Sequence, residues 1–216
     1  MPKEHKEIQY AVGIEDLLIC MMETDETSDT LPTYSDTIYS QSNIVSLGIT
    51  AATSNFVKWA SNKKIINITK NTSFGLAFAL AGLNREVKDL IFGKTATKGI
   101  TFETAKAKTY PKFAVGVVFP LNDGTKVVRW YPKCSVAPVE ENWNTQNDEM
   151  TVDDISYTIT ADPLLTNDTT QAELDTGRTS AVTVDQFLAS VVCDESQVAL
   201  LEAPTTEPTE TPVGGE

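Results

Sequence analysis

The sequence predicts a mainly β domain with one helix packed on its flank. Three observations carry this. Residues 74–80 alternate large and small: Phe74, Leu76, Phe78 and Leu80 against Gly75, Ala77 and Ala79. That period of two is the pattern of a strand. The period then becomes helical, with Leu83, Val87, Leu90 and Ile91 separated by Arg85, Glu86, Lys88 and Asp89. Beyond it, Phe113, Val115, Val117 and Phe119 alternate again up to an Asn122-Asp123-Gly124 turn, from which residues 127–131 return as a second strand.

The helix has its own stop signals. Asn84 is an N-cap, since its short side chain accepts from a free helix amide. Gly93 is the C-terminal residue that tolerates a left-handed backbone. The candidate flanking-helix residues are Leu83, Val87, Leu90 and Ile91.

In chain order, residues 1–7 read as a flexible N-terminus. Residues 8–22 read as a first strand region. Leu17, Ile19 and Met21 alternate with Leu18, Cys20 and Met22, so both faces are apolar, which implies burial on both sides or a subunit contact. Residues 23–33 are acidic, rich in Thr and Ser, and predict a loop. Residues 40–70 hold β-like runs around a polar arm, AATSNFVKWASNKK. Its apolar residues Phe56, Val57 and Trp59, with Ile66 and Ile68 after them, fit two readings equally: an irregular loop folded back on the domain, or an extended arm that docks on a neighbouring subunit.

Residues 94–111 are Lys-rich without a Gly-rich cradle and read as a solvated loop. Pro132 and Pro138 bracket a continuation of the hairpin that suits a sheet edge. Residues 151–162 predict a strand through Val152, Ile155, Tyr157 and Ile159. Residues 164–179 predict a loop, and residues 180–192 a second short helix with Val184, Phe187, Leu188 and Val191 on one face. The Pro/Thr/Glu-rich stretch that ends the chain reads as flexible, so the domain expected is 8–193 with a tail of 194–216.

At 216 residues and 41% hydrophobic content the chain can bury one core. The net charge is −13; four acids and no base lie in residues 202–216, leaving −9 on the rest. That sign argues against ordinary nucleic-acid binding, which needs a basic footprint. Cys20, Cys134 and Cys193 are far apart, odd in number and without CxxC spacing, so buried free thiols are expected rather than disulfides or zinc. No apolar run spans a bilayer, and residues 1–10 lack the apolar core of a signal peptide, so a cytoplasmic place of synthesis is expected.

Catalytic signals are weak. The one histidine, His5, lies at the terminus, so no interior base serves a nucleophile. The pairs Asp153-Asp154 and Glu140-Glu141 point to opposite faces if they lie on strands, so they fit a solvated edge better than a cation site. No catalytic, cofactor-binding or metal residue is assigned, no cofactor is expected, and the chain reads as a non-enzyme.

Three segments resemble one family. The strand–helix unit FGLAFALAGLNREVKDLIFGKT, the hairpin PKFAVGVVFPLNDGTKVVRWYPKCSV and the stretch VEENWNTQNDEMTVDDISYTITADP are similar, in that order, to the major tail proteins of long-tailed phages of Gram-positive bacteria. Val12-Gly13, residues 74–93, 113–116, 129–136, 139–145, 155–161 and 183–191 match the family's segments in turn. Residues 40–70 follow the family's arm only loosely.

The resemblance implies a tail-tube fold: a β-sandwich or semi-open barrel with one flanking α-helix, plus the short C-terminal helix. It implies six copies in a ring and stacked rings forming a hollow tube through which DNA passes without specific binding. It further implies assembly in the host cytoplasm, residence in the virion tail, and a tape measure protein and a tail terminator as partners besides the chain itself, with no membrane. The competing expectations are a monomeric β-sandwich binding module, and a tube or terminator protein of a related contractile particle.

Overall fold

The computed structural model describes residues 7–136, 154–179 and 181–201. Eight strands form one antiparallel sheet: β1 Asp16–Thr24, β2 Thr33–Ser40, β3 Ile44–Ala60, β4 Lys63–Leu80, β5 Phe113–Pro120, β6 Lys126–Val136, β7 Ile155–Ala161 and β8 Ala172–Asp175. The helices are α1 Arg85–Phe92, α2 Val184–Leu188 and α3 Val198–Leu201, with a 3₁₀ turn at Glu195–Gln197. The fold is mainly β, as the alternating patterns predict.

Seven strands run in the order β2-β1-β5-β6-β7-β4-β3, and β8 pairs with β6 beside this path. The two outermost strands, β2 and β3, are joined by residues 41–43 alone. Four chain steps reach at most about 14 Å. Laid flat, six inter-strand spacings would separate those edges by about 29 Å. The sheet therefore curls until its edges meet at one end, giving a semi-open barrel whose seam is covalent there.

The curl produces two unlike faces. The inner cluster draws on most of the strands: Leu17 and Ile19 from β1, Leu76, Phe78 and Leu80 from β4, Phe113, Val115 and Val117 from β5, Tyr131, Cys134 and Val136 from β6, and Tyr157 and Ile159 from β7. Leu18 and Cys20 face the other way, with Ala114, Val118, Val128 and Trp130, and the C-terminal segment covers them with Leu174, Phe187, Val191 and Val192. Thus β1 is apolar on both faces because both are covered.

Helix α1 belongs to the inner cluster. The Asn84 side chain accepts from Glu86 N at 2.8 Å, and Gly93 closes the helix with φ +56°. Lys108 Nζ donates to Phe92 O at 2.6 Å and to Gly93 O at 2.9 Å, so a residue of the Lys-rich loop satisfies the helix's free carbonyls. Val87 and Ile91 are buried, and Leu83 is half-buried against the same cluster. Leu90 is corrected: it is exposed, because it stands about 160° around the helix from the buried Phe92. Phe92 takes its place, in edge contact with Tyr110 and tilted against Tyr157.

The edge position expected at Pro132 is also corrected. Strand β6 is central, flanked by β5 on one side and by β8 and then β7 on the other. The proline is tolerated because it falls between the β8 ladder, which ends at Trp130, and the β7 ladder, which starts at Cys134. The β5 ladder shifts register at the same level. Its carbonyl accepts from Tyr34 Oη at 2.8 Å. Pro138 lies outside the described residues.

Other boundaries differ from expectation. Regular pairing of the first strand starts at Asp16; before it, Tyr10 and Val12 hydrogen-bond along the β5–β6 turn. Residues 33–40 form β2, and residues 172–175 form β8 within the expected loop. The expected second helix keeps only five residues, under a capping box of Thr183 and Gln186. The cysteines are all buried and free. His5, residues 139–145, Val152 and the pairs at 140–141 and 153–154 lie wholly or partly outside the described residues.

Candidate interaction surface

Residues 40–70, read as β-like runs around an arm, are mostly one long β-hairpin. Strands β3 and β4 pair along their whole length, from Ile44–Leu80 to Ala60–Lys63. Ser61 and Asn62 form the two-residue loop, with φ of 49° and 60°. Two positive φ values mark a type I′ turn, which matches strand twist. The irregular-loop reading is overturned. Thr53, Phe56, Val57 and Trp59 on one strand and Ile65, Ile66, Ile68, Thr69 and Thr72 on the other are of the β-branched and aromatic types enriched in strands.

Only the base of this hairpin belongs to the barrel. Strand β7 pairs with β4 from Leu80 back to Phe74 and stops there. Residues 52–60 and 63–73 continue as a two-stranded arm of about 30 Å. Every side chain from 50 to 72 is exposed.

The ladder register shows which arm residues share a face. Phe56 stands opposite Ile68, Lys58 opposite Ile66, and Ser54 opposite Lys70. Directly opposed residues project to the same side. One face is thus an apolar stripe of Phe56, Ile68 and Ile66 with lysines at each end. The other pairs Thr53 with Asn71, Asn55 with Thr69 and Val57 with Asn67, and is largely polar. Trp59, opposite Lys64, is near the tip and 64% exposed.

The five arm residues singled out from sequence therefore lie on one ribbon. Phe56, Ile66 and Ile68 share its apolar face, while Val57 and Trp59 do not join them. Sequence reasoning passed over Ile65, which is 60% exposed beside the tip. It also passed over the lysines, because the arm was read for its aromatics and not for its charge.

Isolated two-stranded ribbons are marginally stable in water. Large apolar residues on such a ribbon, exposed on both strands, form a patch of the kind that marks interaction sites. The outer strands β2 and β3 also leave one edge each without a partner strand among the described residues.

Among the described residues no group of three or more His, Cys, Asp or Glu side chains could hold a metal ion. Burial pushes the thiols of Cys20 and Cys193 up to about 11 and that of Cys134 higher still, so all three are protonated at neutral pH. Among the described residues no helix is long and apolar enough to cross a membrane. No family model matches the chain, and a search of the curated proteins finds no match.

Proposed function

We propose that this chain is a structural, self-assembling protein: the tail-tube subunit of a long-tailed phage. Its rings of six copies stack into the hollow tube that conducts DNA. The observation that carries the reading is the arm, a ribbon of about 30 Å with its apolar residues in solvent, standing off a half-open barrel. Such a ribbon is at rest only when covered.

A single chain with an arm at one place and an open sheet edge at another, two unlike surfaces, associates heterologously. Heterologous contacts close into rings or grow into filaments. Strand addition at a free edge is one way to cover both. The segment order that resembles the major tail proteins supplies the specific particle. The reading makes the virion tail the place of residence, and makes a tape measure protein and a tail terminator the partners at the ends of the tube.

Negative-stain electron microscopy of the purified protein, beside its mass by light scattering, tests this. Rings or hollow tubes are expected. A compact monomer at high concentration, with a bound glycan or other ligand found in a screen, would replace it with the binding-module reading.

A further inference from the structure

Charge is segregated along this sheet. Residues 51–73 carry Lys58, Lys63, Lys64 and Lys70 and no acid. The rest of the chain then has a net charge of −17. Residues 7–40 hold eight acids and no base at all. These two stretches supply opposite edges of the strand order, β2 and the β3–β4 arm.

The acids of the β1–β2 edge face solvent. Glu23, Asp25, Asp29 and Asp36 are exposed, and of these Asp25 meets Lys112 at 3.3 Å. On the arm, Lys70 reaches Asp168 at 3.5 Å near the base, while Lys58, Lys63 and Lys64 make no ion pair with a described residue. The arm's reach of about 30 Å exceeds the screening length of about 8 Å at physiological salt. The tip therefore presents its own positive field, unblurred by the acidic body.

We infer that the arm of one copy docks on the acidic β1–β2 edge of a second copy, with Lys58, Lys63 and Lys64 meeting Glu23, Asp29 and Asp36. This rests on the self-assembly proposed above and adds its partner surface and its salt dependence. The apolar stripe of Phe56, Ile66 and Ile68 supplies the buried centre of the contact, and the lysines form its rim. The rim sets direction: arm against arm and edge against edge both place like charges together, so only head-to-tail contact is allowed.

Charge reversal tests it, read by sedimentation velocity. The arm variant is Lys58→Glu/Lys63→Glu/Lys64→Glu; the edge variant is Glu23→Lys/Asp29→Lys/Asp36→Lys. All six residues are exposed, and circular dichroism checks that both variants fold. Wild-type association is expected to weaken at least about tenfold between low and high salt. Each variant alone is expected to lose association by about a hundredfold, since like charges then face each other. An equimolar mixture, and the chain carrying all six changes, are expected to recover it. A wild type that is monomeric at low salt overturns the inference, as does an arm variant that associates normally, or a mixture that does not recover. Arm-dependent binding of duplex DNA or anionic vesicles in place of self-association overturns it as well. Electron micrographs of the same samples separate the two readings: salt-sensitive, charge-swappable oligomers without tubes refute the tail-tube reading alone, and tubes indifferent to every reversal refute this inference alone.

Discussion

The six-membered ring of the Trp130 indole packs against the backbone of Gly116. The two are ladder partners, and a Cβ placed on Gly116 would stand 2.9 Å from the Trp130 Cζ3 atom and 3.1 Å from the Leu18 Cβ. Trp130 is fully buried and donates from Nε1 to Phe187 O at 3.1 Å, so the ring cannot retreat without breaking a buried hydrogen bond.

Gly116→Ala is therefore expected to destabilise the fold by about 1–3 kcal/mol through overpacking. Gly48→Ala is the control. Its Cβ meets nothing closer than Ala77 at 3.8 Å, so a change within about 0.5 kcal/mol is expected. Urea unfolding of both checks this. Equal effects would mean that the glycine's backbone freedom, and not the tryptophan, sets the cost.

A buried ion pair holds the loop after β1. Lys133 Nζ meets Glu26 Oε1 at 2.6 Å, and Glu26 Oε2 accepts from Leu165 N at 2.6 Å. The Glu26 side chain is 1% exposed and that of Lys133 13%. Removing one partner strands the other's charge, so Glu26→Ala is expected to cost about 3–5 kcal/mol. Glu26→Leu/Lys133→Met is expected to cost less than the single change. A double variant at least as unstable as Glu26→Ala would mean the pair contributes net stability.

The arm is expected to be separable from the body. Replacing residues 53–72 by Asn-Gly rejoins Ala52 to its partner Ser73 through a two-residue turn. Only exposed side chains are lost, so the unfolding free energy is expected to change by no more than about 1 kcal/mol. Light scattering is expected to find a monomer. A variant that fails to fold would place the arm in the core.

High pH is expected to weaken the fold. Burial, and then nearby carboxylates, push the thiols of Cys20 and Cys193 up to about 11 from an ordinary 9.0. A folded-state pKa above the unfolded value gives stability that is complete below pH 9. It declines as the pH rises from there through about 11. Unfolding midpoints in urea at pH 8, 9.5 and 10.5 are expected to fall in that order. The fall is expected to be shallower in Cys20→Ala/Cys193→Ala; an identical fall would assign the effect to other groups.

The sequence was most legible where one local signal sufficed. Alternation marked Leu76, Phe78 and Leu80 as core, and Asn84 and Gly93 bounded α1, because cap chemistry is local. The two apolar faces of β1 were readable, though what covers the outer one lies far along the chain at Phe187 and Val191. Strands β2 and β8 escaped because Thr33–Ser40 and Ala172–Asp175 are short or polar and gain their order from neighbours. Pro132 misled because its rule concerns ladder hydrogen bonds, and a gap between two ladders satisfies that rule in mid-sheet. In the arm, composition named the exposed residues, but only register could sort them into faces.

The ladder also sets an order of events in folding. Strands β1–β2, β3–β4 and β5–β6 are neighbours in sequence and close as local hairpins. The seam between β1 and β5 joins residues about a hundred positions apart, and that between β4 and β7 nearly as many. Local closure takes microseconds, whereas distant pairing waits on loop entropy. Pulse-labelled hydrogen exchange is expected to protect amides inside each hairpin before those of the two seams; simultaneous protection would refute the order. The arm is then complete while the barrel is still open, and a newly made chain presents its adhesive ribbon before it has a body to hold it away from its neighbours.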